Sequence, residues 1–226
     1  PPGATRTGTL VPRTTLFRSA TPAPHRPVDP HPAAQGALLQ ARRLYLEKTL
    51  THLHPAPRVL EVGFGLGVNF RVALESALLR GVRLSYLAVE REPLPREVLA
   101  QILLPLPRAE EVFAALLKAW PTSRFLGSWG ELRLLFLDVR EAVLPSCWAT
   151  AVYLDPFSPR ANPEAWSLPV LLKLRKSLKR GGRLATYSAQ GAFRRALREA
   201  GFAVHRVPGV GKREWTVGIA RGVPPG

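Results

Sequence analysis

An aspartate ends an apolar run in the segment YLDPFSPRANPEAW, and a proline and an aromatic residue follow it directly. The run ATAVYL before Asp155 predicts a buried strand, and α/β sheets bind ligands beyond the carboxyl ends of their strands. A carboxylate there can accept an N–H hydrogen bond, aim the nitrogen lone pair, or accept a proton, and Phe157 can stack on a planar base. We therefore predict a reaction centre for a nitrogen acceptor, with Asp155 and Phe157 as catalytic residues. The alternative is an acid that only caps a turn.

Three alternate glycines form a second candidate site in the segment LEVGFGLGVNF. Glycines at a strand-to-helix turn let the backbone approach a ligand closely, but a dinucleotide fingerprint places its third glycine one residue later. The pattern E-x-G-x-G-x-G instead resembles the first motif of class I S-adenosylmethionine-dependent methyltransferases. In that family the loop surrounds the amino-acid end of the cofactor and the leading acid helps to hold it. The resemblance implies six cofactor-binding residues here: Glu61, Gly63, Phe64, Gly65, Gly67 and Asn69.

Two more acids end predicted strands. Glu90 ends the second strand, where an acid can accept both ribose hydroxyls. Asp138 ends the third, a position that meets the adenine amino group in the same fold. Glu90 could instead be an exposed strand-end acid with Glu92 as its competitor, and Asp138 could be a helix N-cap. Together with Asp155 these acids predict a single site at one edge of the sheet.

The elements that position these residues alternate between strands and helices. We predict helices over residues 35–50, 94–104, 139–144 and 163–180, among others, between five strands that form a mostly parallel, doubly wound sheet. Two final strands are joined by only VPGVGK, which is too short for a parallel crossover, so they should form an antiparallel hairpin. Seven strands in this arrangement predict an α/β class I methyltransferase fold over residues 35–226. The proline-rich residues 1–34 predict an N-terminal extension with a possible hairpin.

Composition points to a polyanionic partner. The chain of 226 residues carries 32 Lys and Arg against 16 Asp and Glu, a formal net charge of +16, which favours nucleic acid. A GC-rich codon bias is the alternative reason for the excess of arginine. One cysteine, Cys147, excludes an intramolecular disulfide, and the five histidines show no metal-ligand spacing, so no metal is predicted. No apolar run suits a membrane span or a signal peptide, which favours the cytoplasm. The oligomeric state is left open.

Longer motifs are similar to the methyltransferase domain of the MnmC family. The pattern D-P-F-S-P-x-x-N-P-x-x-W matches that family's D-G-F-[AS]-P-x-x-N-P-x-x-W, and GFGLGVNF matches its G-F-G-T-G-L-N-F. A strand ending A-T-Y-S and a late G-x-G-x-K-R-E complete a resemblance that runs over residues 31–220. Two positions depart from the family: Pro156 replaces a glycine, and Gln40 replaces an acid of the N-terminal helix.

The resemblance implies a concrete reaction. The MnmC family methylates 5-aminomethyl-2-thiouridine at the tRNA wobble position with S-adenosylmethionine, giving 5-methylaminomethyl-2-thiouridine. Many members are fused to an FAD-dependent oxidase, and this chain resembles a stand-alone methyltransferase form. Carried over, Glu90 holds ribose, Asp138 holds adenine, and Asp155 lies beside both cofactor and acceptor. The implied substrate-binding residues are Pro156, Lys212, Arg213 and Glu214. Trp166 is a further substrate-binding candidate, with a place in the core as the alternative.

Three alternatives stay open from sequence. Another nucleic-acid methyltransferase could act on an adenine amine, although the loop lacks the second proline of that group. A polyamine aminopropyltransferase shares the fold, but its cationic substrates disfavour a chain of charge +16. A non-catalytic nucleic-acid-binding module could keep the same scaffold. The basic runs 175–183 and 194–198 are either solvated helix faces or parts of a phosphate-binding surface.

Overall fold

A computed structural model of the chain describes residues 32–157, 161–211 and 213–222, and an eight-stranded sheet forms its centre. The strand order is β3-β4-β2-β1-β5-β6-β8-β7. The strands are β1 Arg58–Val62, β2 Leu84–Val89, β3 Arg124–Gly127, β4 Gly130–Leu135, β5 Ala149–Leu154, β6 Leu178–Thr186, β7 Phe202–Pro208 and β8 Glu214–Ala220. The predicted extension lies outside the described residues as far as residue 31.

Strand directions confirm the mostly parallel sheet. Strand β1 pairs in parallel with β2 and β5, β2 with β4, and β5 with β6. The last two strands form the predicted antiparallel hairpin, and β8 adds to β6 in the antiparallel sense. The predicted number of seven strands is wrong, because β3 pairs antiparallel with β4 as an eighth. Four residues joined to β4 by a two-residue turn carry too little alternation to stand out in sequence.

Helices cover both faces of the sheet. They are α1 Pro32–Gln40, a π-helix Ala41–Glu47, α2 Val68–Arg80, α3 Arg96–Ala100, α4 Pro107–Lys118, a 3₁₀ helix Pro163–Trp166, α5 Leu168–Ser177 and α6 Gly191–Glu199. Leu44, Phe70 and Phe113 pack one apolar core on one face, and Leu171 and Leu197 belong to a second core on the other. No described helix is long and apolar enough to cross a membrane.

Three predicted helices differ from the structure. The predicted helix 94–104 is shortened to α3, Arg96–Ala100. Residues 139–141 form a turn, in which the carbonyl of Asp138 accepts the amides of Glu141 and Ala142, and residues 142–144 have no regular structure. The predicted helix 163–180 is broken at Ser167, because Pro169 has no amide proton and its ring would clash within a continuous helix. Helix α5 ends at Ser177, and β6 begins at the next residue.

Candidate active site

A pocket of about 320 Å³ lies at the carboxyl ends of the parallel strands. Seven of the predicted site residues line it: Gly63, Gly65, Glu90, Asp138, Asp155, Pro156 and Phe157. Several other lining residues were not predicted as site residues, among them Arg91, Leu137, Val139, Asn162, Ala165 and Tyr187. Because the strands are parallel, their ends meet at one edge, and the structure brings the acids of three strands together there.

Other predicted site residues lie behind or beside this pocket. The residues outside its lining are Glu61, Phe64, Gly67, Asn69, Trp166, Arg213 and Glu214, and Lys212 is outside the described residues. The Phe64 ring is buried and stacks on Trp120 at 6.0 Å between centroids. Glu214 forms an ion pair with Arg194, with Nη1 and Oε2 3.2 Å apart.

The glycine loop fits a ligand that approaches the backbone. Gly65 has a φ of +50°, and a Cβ added there would meet no atom within 4 Å, so open space reaches the main chain. At Gly63, with φ +89°, an added Cβ would lie 2.6 Å from the carbonyl oxygen of Asp155. No side chain fits at position 63, because the glycine loop and the loop after β5 are in direct contact there.

One end of the pocket, which we call the reaction end after the predicted role of Asp155, is built around that residue. The Tyr45 hydroxyl donates to its Oδ1 at 2.7 Å, and the Asn69 amide donates to its Oδ2 at 2.7 Å. The same Asn69 nitrogen lies 2.8 Å from Oε1 of the buried Glu61, whose other oxygen accepts the Tyr86 hydroxyl at 2.8 Å. Two carboxylates therefore share one amide donor, and the direct hydrogen bonds to both come from uncharged groups.

Burial and neutral partners set the charge of this end. Desolvation raises the pKa of Asp155 to about 6, although the hydrogen bonds from Tyr45 and Asn69 act to lower it. Burial also raises the pKa of Glu61 well above its usual value, and the nearby Asp155 charge adds to the rise. Asp155 thus exchanges its proton close to neutral pH, where a group can serve acid–base chemistry.

Tyr45 contacts the predicted reaction centre, and it was not among the predicted site residues. It lies in the π-helix, fully buried, 110 residues before the aspartate that it contacts. Most buried tyrosine hydroxyls have a hydrogen-bond partner. This tendency is the signal that could have identified Tyr45, because Tyr45 occupies the apolar face of the predicted helix 35–50.

The opposite end of the pocket holds Glu90 and Asp138. Glu90 accepts the amides of Gly65 at Oε2 and Glu92 at Oε1, both at 2.9 Å. Asp138 forms a two-pronged ion pair with the exposed Arg140, with both nitrogen–oxygen distances 3.0 Å. These hydrogen bonds hold the pKa of Asp138 below its usual value. A carboxylate has about four acceptor positions, so Glu90 keeps acceptor capacity for ligand hydroxyls.

Two ring donors hold the loop after β5. The Tyr187 hydroxyl donates to the carbonyl of Pro156 at 2.8 Å, and Trp166 Nε1 donates to the carbonyl of Phe157 at 2.9 Å. Trp166 is buried, whereas the Phe157 side chain is 79% exposed. The loop backbone is fixed while its aromatic ring faces solvent at the pocket.

The two basic runs are divided between the core and the surface. Arg175 is buried and donates to the carbonyls of Gly201 and Arg221, at 3.2 and 2.8 Å. Arg194 is buried as well and donates to Thr216 Oγ1 at 2.9 Å. For these two arginines the predicted choice between a solvated face and a phosphate surface is wrong, because both satisfy carbonyl or hydroxyl groups inside the fold.

Similarity to known proteins is extensive. The family described as S-adenosyl-L-methionine-dependent methyltransferase matches residues 107–221. Two relatives, from Ralstonia nicotianae and Aromatoleum aromaticum, are named tRNA 5-methylaminomethyl-2-thiouridine biosynthesis bifunctional protein MnmC. They are 34% and 41% identical over 93% and 74% of this chain, and the matches cover 34% and 28% of their own lengths. The chain thus spans about a third of these relatives.

Solved structures give the same result. MNMC2 from Aquifex aeolicus is 30% identical, with a TM-score of 0.68 over 85% of this chain and 63% of that one. Spermidine synthase from Thermotoga maritima, 12% identical with a TM-score of 0.50, shares the fold alone. These likenesses confirm the predicted α/β class I methyltransferase fold, with its strand number corrected to eight.

Proposed function

Because the chain belongs to the S-adenosyl-L-methionine-dependent methyltransferase family, we propose that it N-methylates an aminomethyl group on the wobble uridine of tRNA in the cytoplasm. The substrate is 5-aminomethyluridine or its 2-thio form, and the product carries a methylaminomethyl group. The names of the relatives support this choice. The observation that carries it is Asp155, a partly buried carboxylate in the pocket whose two direct hydrogen-bond donors are both neutral.

The cofactor end of the pocket suits S-adenosyl-L-methionine. When bound, this cofactor supplies an electrophilic methyl group on a sulfonium sulfur. The open backbone at Gly65 accommodates its amino-acid end, Glu90 accepts the ribose hydroxyls, and Asp138 accepts the adenine amine. Each assignment rests on a group that lines the pocket and has an acceptor or open space to offer.

Asp155 orients the acceptor amine. Two of its roughly four acceptor positions are taken by Tyr45 and Asn69, so others remain for a substrate N–H. An alkyl amine has a pKa near that of lysine, about 10. Moving its proton to a group of pKa about 6 is uphill by roughly 5 kcal/mol. Asp155 therefore acts mainly on the neutral amine, by accepting its N–H and aiming its lone pair, which in-line transfer requires.

Exposed cations near the pocket supply a surface for the RNA backbone. Arg91 follows β2 and Arg140 follows β4, while Arg213 lies between β7 and β8 beside the end of β6. The exposed Lys179 and Arg180 lie at the opposite edge of the sheet, at the start of β6. We expect alanine at Arg91 and Arg213 to weaken tRNA binding and to flatten its salt dependence by about one unit per lost phosphate contact. Alanine at Lys179 and Arg180 serves as the matched control.

The test is methyl transfer from labelled S-adenosylmethionine to two tRNA pools, one with 5-aminomethyl-2-thiouridine and one without. Digestion to nucleosides and mass spectrometry should show a methylated aminomethyl nucleoside in the first pool alone. Methylated adenosine, or transfer to both pools, would replace this proposal with an adenine-amine methyltransferase. Binding of tRNA without any transfer would replace it with a non-catalytic module.

A further inference from the structure

The loop after β5 is held from two sides. On one side Gly63 packs so closely that an added Cβ would lie 2.9 Å from the Cα of Pro156. The amide of Asp155 also donates to the carbonyl of Val62 at 2.9 Å. On the other side, Tyr187 and Trp166 donate to the two carbonyls that follow. Consecutive peptide groups of the loop are therefore anchored to different elements of the fold.

The two ring donors are themselves locked by aromatic packing. The Trp166 ring meets the Tyr187 ring edge to face at 5.7 Å, and it meets the Phe193 ring in the same way at 5.1 Å. These rings come from the 3₁₀ helix, the residue after β6, and α6. Burial and the nearby Asp155 charge raise the pKa of Tyr187 to about 12, so its hydroxyl remains a donor. Edge-to-face pairs add stability beyond their buried area.

The loop presents an unusual side chain. Phe157 is the only exposed aromatic residue within the described parts of the chain, although its own carbonyl is bound to a buried indole. Exposed aromatic rings on rigid backbones are suited to stacking on unpaired bases, at about 1–3 kcal/mol per base. An anchored backbone lowers the entropy that such a contact loses on binding.

We propose that Trp166 and Tyr187 are positioning residues that hold Phe157 as a stacking platform for the uracil ring while Asp155 holds its aminomethyl group. This inference rests on the proposed function. The Trp166 Nε1–H and the Tyr187 O–H are both bound to loop carbonyls, so neither proton is left to donate to the substrate. Trp166 and Tyr187 affect the reaction by fixing the distance between the Phe157 ring and the Asp155 carboxylate.

The experiment is a double-mutant cycle that combines Tyr187→Phe with Phe157→Ala. Phe157→Ala should raise the KM for tRNA about tenfold, and Phe157→Tyr should keep it near the wild-type value, because the ring is retained. Tyr187→Phe alone should raise the KM about fivefold, with the Kd for S-adenosylhomocysteine unchanged. In the Phe157→Ala background, Tyr187→Phe should raise the KM for tRNA by less than a further twofold. Independent, multiplicative effects would overturn the proposal.

A second measurement separates this proposal from the proposed function. Hydrogen exchange at the amide of Asp155, which donates to the carbonyl of Val62, should accelerate in Tyr187→Phe and Trp166→Phe. It should not change in Tyr153→Phe, a matched control whose buried hydroxyl has no hydrogen-bond partner among the described residues. If the wild type methylates neither tRNA pool, the proposed function fails. The exchange result still shows whether Tyr187 and Trp166 hold the loop after β5. Unchanged exchange in both Tyr187→Phe and Trp166→Phe would refute the positioning role of these residues.

Discussion

The two ends of the pocket use the same side-chain type in opposite ways. At the cofactor end, Asp138 is paired with the guanidinium of Arg140, and its pKa is lowered. At the reaction end, the direct hydrogen bonds to Asp155 and Glu61 come from a phenol or an amide, and the pKa of both acids is raised, chiefly by burial. Asp138 stays charged across the physiological range, whereas Asp155 changes protonation near the lower limit of that range.

The difference shows that partner type and burial, more than position at a strand end, decide the role of an acid. A charged partner fixes a carboxylate as an anion that accepts hydrogen bonds from a ligand. Neutral donors support the anion with a much smaller electrostatic gain, so desolvation dominates and the proton becomes exchangeable. Removing or replacing single partners should therefore affect the two ends unequally.

The largest effect should come from Asp155→Ala. We expect kcat to fall about 10³-fold, because the amine loses the acceptor that aims its lone pair. Affinity for S-adenosylhomocysteine, measured by calorimetry, should change by less than about threefold, which would locate the defect at the reaction end. Glu111→Gln, which removes an exposed acid on α4, is the control for loss of charge. Wild-type activity in Asp155→Ala would end the proposed role.

A smaller effect should follow from Tyr45→Phe. Its hydroxyl lowers the pKa of Asp155, so removing it should raise that pKa and move the acid limb of the kcat profile to higher pH. The wild-type limb should fall as pH drops through about 6, since the active form is the carboxylate. At pH 6 we expect about a tenfold loss, which should shrink at pH 8. A loss that is equal at both pH values would show that Tyr45 only supports packing.

The third prediction concerns stability. A carboxyl group whose folded pKa is raised to about 6 stabilises the fold below its unfolded pKa and loses that contribution as pH rises through 6. Asp155→Asn lacks this loss, so it should be more stable than wild type at pH 7.5 by roughly 1–2 kcal/mol, allowing for partial exposure. The two proteins should converge near pH 4. Urea denaturation at both pH values measures the difference, and a less stable variant at pH 7.5 would contradict the burial argument.

The smallest effect should come from Arg140→Ala. Exposed ion pairs contribute little to stability, and the freed Asp138 oxygens gain acceptor capacity, so cofactor binding should tighten by about two- to threefold. Calorimetry with S-adenosylhomocysteine measures this change. Arg124→Ala removes a comparable exposed pair with Glu131 at the edge of the sheet and should leave binding unchanged. Weaker binding in Arg140→Ala would mean that the guanidinium itself contacts the cofactor.

Much of the fold was available from sequence because local patterns carried it. Apolar runs alternate with helical periods, and the connection VPGVGK is too short for anything but a hairpin, so the sheet and its closing strands were predictable. The acids Glu90, Asp138 and Asp155 were found by the same logic, since the ends of parallel strands meet at one edge.

The remainder depends on contacts between distant residues. Tyr45 and Asn69 reach Asp155 across 110 and 86 residues, and no local pattern encodes that pairing. Arg175 was placed in a surface run although it follows Leu171 by one helical turn, which puts it on the buried stripe. For Trp166 the sequence left open a place in the pocket lining or in the core; its indole is buried and reaches the site through a backbone carbonyl.

The π-helix Ala41–Glu47 links the angular position of Tyr45 around the helix axis to the chemistry of Asp155. Tyr45 lies within it, and its hydroxyl donates to Asp155 Oδ1 at 2.7 Å. A one-residue deletion between α1 and Tyr45 would turn the phenol by about 100° at ordinary α-helical geometry. Asp155 would lose one of its two donors although every residue of the pocket lining remained. Chain length in this helix, and not only residue identity, therefore sets the proton affinity of the reaction centre.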